Sequence, residues 1–285
     1  MTGATGFIGS RIVAELLGAH RIFALYHENR PDQQLEGVTW IEQDLSKPLE
    51  EAKLAKEIDA ILHLAQSRNY RNFPERADDI FKVNIEGTYH LLELGRRLGI
   101  KKFIYASSGG IYGYSYEKFM ETATINPVNF YLTSKYCSEL LIGNYNPYFT
   151  TVVFRFFFVY GPKQKSMLIP RLLDNIKKGE PIIIYGKSGV RINPIHVNDA
   201  IKVFPPSLET SVSGIFNVAG DEFISIRELS EMIGRLIGKD PIFVHKKSNL
   251  PGDIIGDNSR MKAVLGVIPE VSLKKGISEL VQSSC

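Results

Sequence analysis

The chain opens on Thr2-Gly3-Ala4-Thr5-Gly6-Phe7-Ile8-Gly9, a run in which every third residue from Gly3 is glycine. Glycine lets a backbone turn tightly and approach a phosphate closely, and a helix starting on such a turn aims its free amide groups at an anion. An amphipathic stretch and then the β-rich run Arg21–Leu25 come next, the order that a dinucleotide-binding unit requires. In such a unit the turn follows a strand at the centre of the sheet. Only Met1 precedes Thr2, so the first strand reads as missing or cut short, which would leave two strand edges open.

Further apolar runs at 38–41, 60–65, 103–107 and 152–157 read as strands, with helices over Ile8–Leu17, Asp78–Leu98 and Phe130–Asn144 between them. Near-continuous hydrophobicity suits strands covered on both faces. The alternation predicts an α/β Rossmann-type doubly wound parallel sheet. After Gly161-Pro162 the pattern loosens into helices near 169–178, 226–237 and 273–281, with short strands and Pro/Gly turns between. We therefore expect a dinucleotide-binding domain over 1–162. Residues 163–285 would form mainly a smaller substrate lobe, some of whose segments return to the sheet.

The chain has 285 residues, 44% of them hydrophobic, enough for a large core. A net charge of +3 without a long basic run argues against a nucleic-acid partner. Lys163, Lys165, Arg171, Lys177, Lys178, Lys187 and Arg191 concentrate charge in the second half, as solvated surface or as a site for a phosphorylated ligand. Cys137 and Cys285 have no partner spacing, so neither a disulfide framework nor a metal site is expected, and a cytoplasmic setting follows. No apolar stretch is long enough to imply a membrane partner.

Tyr131 and Lys135 stand one helical turn apart and share a face. A phenol is a poor base at neutral pH, and a neighbouring ammonium together with the positive ring of a nicotinamide is expected to lower its pKa. Tyrosine could then exchange a proton with a sugar hydroxyl while hydride moves to or from a nicotinamide. Ser107-Ser108-Gly109-Gly110 closes a predicted strand at the sheet end where open α/β folds bind ligands. For the adenosine end, His27 and Arg30 suit a 2′-phosphate and lean towards NADP, whereas Glu28 suits the 2′-hydroxyl of NAD. Asp44 and Leu45 follow the 38–41 run and could bracket the adenine, although alone they would read as a helix cap.

Together, TGATGFIG at 2–9, HLAQ at 63–66, VNIEGT at 83–88, YASSGGIYG at 105–113, NFYLTSK at 129–135, RFFFVYGP at 155–162, RINPIHVNDA at 191–200 and PGDI at 251–254 resemble the extended short-chain dehydrogenases/reductases of the NAD-dependent epimerase/dehydratase family. The resemblance implies Ser108, Tyr131 and Lys135 as the catalytic set. It implies cofactor contacts from Gly3, Gly6, Phe7, Ile8, Gly9, Leu64, Ala65, Gln66, Asn84 and Phe157, besides Tyr131 and Lys135. Ser108, Phe158, Arg191 and Asp253 would meet a nucleotide-diphosphate sugar, the arginine at its diphosphate. The helices at 78–98 and 130–144 would pair across a two-fold as a four-helix homodimer interface. Two departures stand out: Phe158 replaces the family's asparagine, and Leu250-Pro251 replace an arginine-bearing segment. Gly109-Gly110 replace the Asp-Glu pair of dehydratases, which argues against dehydration and for room in which a sugar could rotate. The resulting expectation is a nucleotide-sugar epimerase, acting at C4 with a bound NAD or NADP. A 4-keto-sugar reductase using NADPH and a catalytically weak dinucleotide-binding scaffold are the alternatives.

Overall fold

The structure, a computed structural model, describes residues 1–28, 35–247 and 252–284. In chain order the elements are α1 (Gly9–Leu16), β1 (Ile22–Tyr26), β2 (Val38–Glu42), β3 (Ala60–His63), α2 (Ala77–Phe81), a π-helical segment (Lys82–Glu86), α3 (Gly87–Leu98), β4 (Lys102–Ser108), α4 (Phe130–Gly143) and β5 (Thr150–Phe156). They continue with α5 (Leu168–Lys178), β6 (Ile182–Tyr185), β7 (Arg191–Ile192), α6 (Val197–Ala200), α7 (Phe204–Glu209), β8 (Gly214–Val218), β9 (Ile224–Ser225), α8 (Ile226–Ile237), β10 (Phe243–Lys246), α9 (Ser259–Leu265) and α10 (Leu273–Gln282). The fold is α/β and Rossmann-like, as the alternation of runs predicts.

The chain divides into two compact units: residues 1–111, 126–155 and 204–216, and residues 112–125, 156–203 and 217–285. In the first, β1 pairs in parallel with β2, and a second sheet runs in the order β3-β4-β5-β8. Met1 and Thr2 stand between β1 and β3. Leu25 N donates to Met1 O at 2.8 Å, Thr2 N to Leu62 O at 2.9 Å and Leu64 N to Thr2 O at 3.3 Å. A cavity of about 1150 Å³, lined by Leu16, Ile22, Ile61 and Leu94 among others, lies alongside these strands.

The unit's core joins Ile61 of β3, Phe103 and Tyr105 of β4, Leu91 and Leu92 of α3, Ile142 of α4 and Val153 of β5. Several helix ends are set locally. The Asn129 side chain caps α4 by accepting from Leu132 N at 2.9 Å, and α3 ends on Gly99 in the left-handed region at φ +66°. The π-helical segment inserts one extra residue per turn, re-aiming the side chains around Asn84. The second unit has its own core, built from α5, α8 and α10 around β6 and including Leu173, Ile184, Leu229 and Ile277. Ser225 and Glu228 form a reciprocal capping box at the start of α8.

Candidate active site

The glycines at 3–9 are required by contacts with backbone. Gly3 has φ +68°, and a β-carbon there would meet Ala65 N at 2.7 Å; one on Gly9 would stand 2.0 Å from Gly3 O. Gly6 N closes the turn on Gly3 O at 3.0 Å. Helix α1 then begins with Ile8 as its N-cap and no side-chain cap. Among the described residues no protein acceptor takes the amides of Phe7, Ile8 and Gly9. A tight glycine cradle with free N–H groups at a helix start is what a pyrophosphate needs, so these residues fit the group that the sequence implied. Phe7 itself is stacked under the Arg11 guanidinium, 4.4 Å from its ring centre.

At the adenosine end, His27 Nε2 lies 3.6 Å from Asp44 Oδ2. Burial raises the Asp44 pKa, but hydrogen bonds from Ser46, and then His27 and Lys47, bring it below the ordinary carboxylate range. Leu45 is a core residue. Glu28 is taken by an exposed ion pair with Arg68 at 2.7 Å. Arg30 lies outside the described residues, as do Leu250, Pro251 and Cys285.

The residues after β3 meet the catalytic helix. Ala65 N donates to Thr2 Oγ1 at 3.1 Å, and Ser67 N to Asn84 Oδ1 at 2.8 Å. Between them Gln66 Oε1 accepts a 2.8 Å hydrogen bond from the Tyr131 hydroxyl. Asn84 Nδ2 donates to Ser134 Oγ at 2.8 Å, and Ser134 Oγ to Tyr131 O at 2.7 Å. Asn84, expected beside a cofactor, is 1% exposed and serves as the joint between the loop and α4. His63 is equally internal: Thr2 and Thr88 flank its ring at 2.7 and 3.0 Å, and burial, followed by the charge of Lys135, depresses its pKa to about 3.

Lys135 donates from Nζ to Ala106 O at 2.8 Å and sits over the Tyr105 ring at 4.8 Å, with 2% of its surface exposed. Burial lowers its pKa to about 7, with Glu139 pulling the other way. Tyr131 keeps some exposed surface, but desolvation and then Tyr70, whose ring lies 5.1 Å away, push its phenol well above the ordinary range; only the Gln66 bond opposes them. Lys135 is not among the protein groups that shift Tyr131. Ser108, at the end of β4, accepts from Gly110 N at 3.2 Å, and among the described residues its own proton goes to no protein acceptor. A β-carbon on Gly110 would come 3.0 Å from Leu132 Cδ2 and 3.3 Å from Ser108 Oγ, so a larger residue there would press on both side chains.

The remaining candidates belong to the second unit. Arg191 and Asp253 pair with each other, Nε to Oδ2 at 2.7 Å and backbone N to Oδ1 at 2.8 Å. Phe157 is 1% exposed, and its ring packs so closely on Gly256 that a β-carbon there would stand 2.6 Å away; it is core in this structure. Phe158 adopts φ +46°, a left-handed conformation that a bulky residue rarely takes and asparagine takes more readily. Sequence reasoning missed Tyr70, Ser67 and Ser134. Only Ser134 had a legible cue, its place inside the Tyr-to-Lys turn. It also missed the buried pair Arg155–Glu139, closed at 2.6 Å, to which Ser107 adds a hydrogen bond.

The sequence profile described as the NAD dependent epimerase/dehydratase family matches residues 1–219. The chain is 30% identical to a putative UDP-glucose 4-epimerase of Methanocaldococcus jannaschii, over 99% of this chain and 96% of that one. It is also 30% identical to a dTDP-4-dehydro-6-deoxy-D-allose reductase of Streptomyces bikiniensis, over 98% and 93%. Among solved structures it resembles the UDP-glucuronic acid 4-epimerase of Bacillus cereus in complex with UDP-glucuronic acid and NAD, with a TM-score of 0.88, 26% identity and coverage of 99% and 97%.

Proposed function

Since the chain belongs to the NAD-dependent epimerase/dehydratase family, we propose that it is a nucleotide-sugar epimerase that inverts C4 of its sugar, with Tyr131 as acid/base. The observation that carries this reading is the convergence, within one unit, of a phosphate-fitting glycine turn and the Tyr131–Lys135 helix face through the loop 64–67. The turn at Gly3–Gly9 would hold the pyrophosphate of a dinucleotide, His27 and Asp44 its adenosine end, and Lys135 its nicotinamide ribose. When bound, that cofactor supplies a reversible two-electron acceptor. NAD is favoured over the NADP to which the sequence leans, because His27 is already partnered by the Asp44 carboxylate, which would repel a 2′-phosphate. The relative solved with NAD supports the same choice.

Tyr131 exchanges the proton of the C4 hydroxyl, and Ser108, whose own proton is uncommitted, donates to the reacting oxygen and aligns it. Arg191, exposed and forked, suits the sugar nucleotide's diphosphate, with Asp253 fixing its direction. A second copy docked on the exposed side chains Phe81 and Tyr89 on one side and Leu140 of α4 on the other would give a homodimer. No described helix is long and apolar enough to cross a membrane.

Supplying UDP-glucose or UDP-glucuronate and following the product by NMR tests the reading. We expect the C4 epimer to accumulate with no net change in nicotinamide absorbance, and Tyr131→Phe to remove turnover by several orders of magnitude while dinucleotide binding persists. Unchanged turnover in that variant overturns the role of Tyr131. The Streptomyces relative favours a second reading, a 4-keto-sugar reductase. Stoichiometric NADPH consumption with a keto sugar would select it.

A further inference from the structure

Gln66 is fixed in place by its neighbours. The backbone before it is tied by Ala65 N to Thr2 Oγ1, and the backbone after it by Ser67 N to Asn84 Oδ1. Ser67 Oγ also donates to Asp79. The same Asn84 reaches Ser134, and Ser134 reaches the carbonyl of Tyr131. The Tyr131 hydroxyl and Gln66 Oε1 close the circuit at 2.8 Å. Every link but the last fixes backbone or helix. The last joins the reactive phenol to a carboxamide whose Nε2 is committed to no protein acceptor among the described residues.

The geometry points to Gln66 as a positioning residue that holds the Tyr131 phenol and answers its change of charge by turning its carboxamide. With Oε1 inward the amide accepts from a neutral phenol. After a half-turn of its last torsion, Nε2 donates to a phenolate from the same place, and no protein hydrogen bond to Nε2 is lost in turning. A hydrogen bond to the charged form is about twice as strong as one to the neutral form, so the amide favours ionisation on balance. The other titratable groups near the phenol are Tyr70 on the loop after β3, Tyr105 on β4 and Lys135 a turn further along α4. Tyr70 and Tyr105 are phenols that oppose a second negative charge, which leaves Gln66 as the neutral donor. The catalytic consequence rests on Tyr131 being the acid/base; the effect on the phenol does not.

The test places a ring-fluorinated tyrosine at position 131, whose more acidic phenol titrates in an accessible range and whose fluorine resonance reports its charge. Gln66→Met should raise its apparent pKa by about one unit, a tenfold fall in the ionisation constant, and Gln66→Glu should raise it further. Gln66→Asn, too short to reach, should behave as Gln66→Met does and serves if that variant fails to fold. An unchanged pKa in Gln66→Met, or a lower one in Gln66→Glu, overturns the assignment. The titration needs no substrate. In turnover, the limb of the kcat/KM profile that reports Tyr131 should move to higher pH in Gln66→Met. A wild-type protein inactive on every UDP-sugar would refute the proposed function and leave the fluorine result to decide Gln66.

Discussion

Lys135 makes the folded protein sensitive to pH in a direction that can be worked out in advance. It is 2% exposed, and burial lowers its pKa from 10.5 to about 7. A lysine whose folded pKa lies below its unfolded one binds its proton more readily in the unfolded chain, so stability rises with pH between those two values. With these pKa values the burden of charging the buried amine is about 4 kcal/mol at pH 7 and about 2 kcal/mol at pH 9. Lys135→Met keeps the apolar stem and removes the charge. It also removes the hydrogen bond to Ala106 O, at a cost of about 1–3 kcal/mol. The variant should therefore be more stable than wild type by about 1–3 kcal/mol at pH 7, and the gain should vanish near pH 9. Urea denaturation followed by circular dichroism at pH 7, 8 and 9 measures both curves. His63, which the charge of Lys135 also shifts, stays neutral in the folded protein across this range, and groups that Lys135 does not touch cancel in the difference. Curves that rise in parallel would mean that Lys135 does not carry the pH dependence, and the argument from its burial would be wrong.

Two further outcomes follow from contacts of the same unit. Gly9→Ala would drive a methyl group to 2.0 Å from Gly3 O, so the turn must open; the NAD dissociation constant, by calorimetry, should rise at least about tenfold while the circular dichroism spectrum is kept. An unchanged constant would remove the turn from the cofactor site. Glu139→Gln takes the carboxylate from Arg155, itself 2% exposed, and should cost about 3–5 kcal/mol in denaturant unfolding, much of it recovered on adding Arg155→Met; additive losses in the double variant would contradict a coupled pair.

The parts of the fold that the sequence made legible are those with a local physical cause. Alternating runs gave β1 to β5 within a residue or two, and the helices at 130–143, 226–237 and 273–282 within a residue at either end. The glycine turn was legible because steric demand at Gly3 and Gly9 admits no other residue. Residues that act through distant partners were not. Nothing along the chain shows that Ser67 and Ser134 will sit on either side of Asn84. Nor does anything near Phe157 show that Gly256, nearly a hundred residues later, will pack against its ring. The desolvation of Tyr131 was hidden for the same reason. Spacing puts an ammonium on its helix face, but desolvation depends on β4 and on the loop after β3, which no i,i+4 rule describes.

These two pKa directions belong together. Burial raises the phenol of Tyr131 and lowers the ammonium of Lys135, so above about pH 7 the protein by itself holds both groups neutral. A tyrosine in that state is ready to give a proton and unready to take one. Acid/base work in both directions, as epimerisation requires, then depends on what stabilises the phenolate once a ligand is bound. The neighbour in hydrogen-bond contact with the phenol is the carboxamide of Gln66, which carries no charge to lose. A variant lacking the amide should thus lose turnover on the acid side of the limb that reports Tyr131 and regain it as pH rises through the displaced limb.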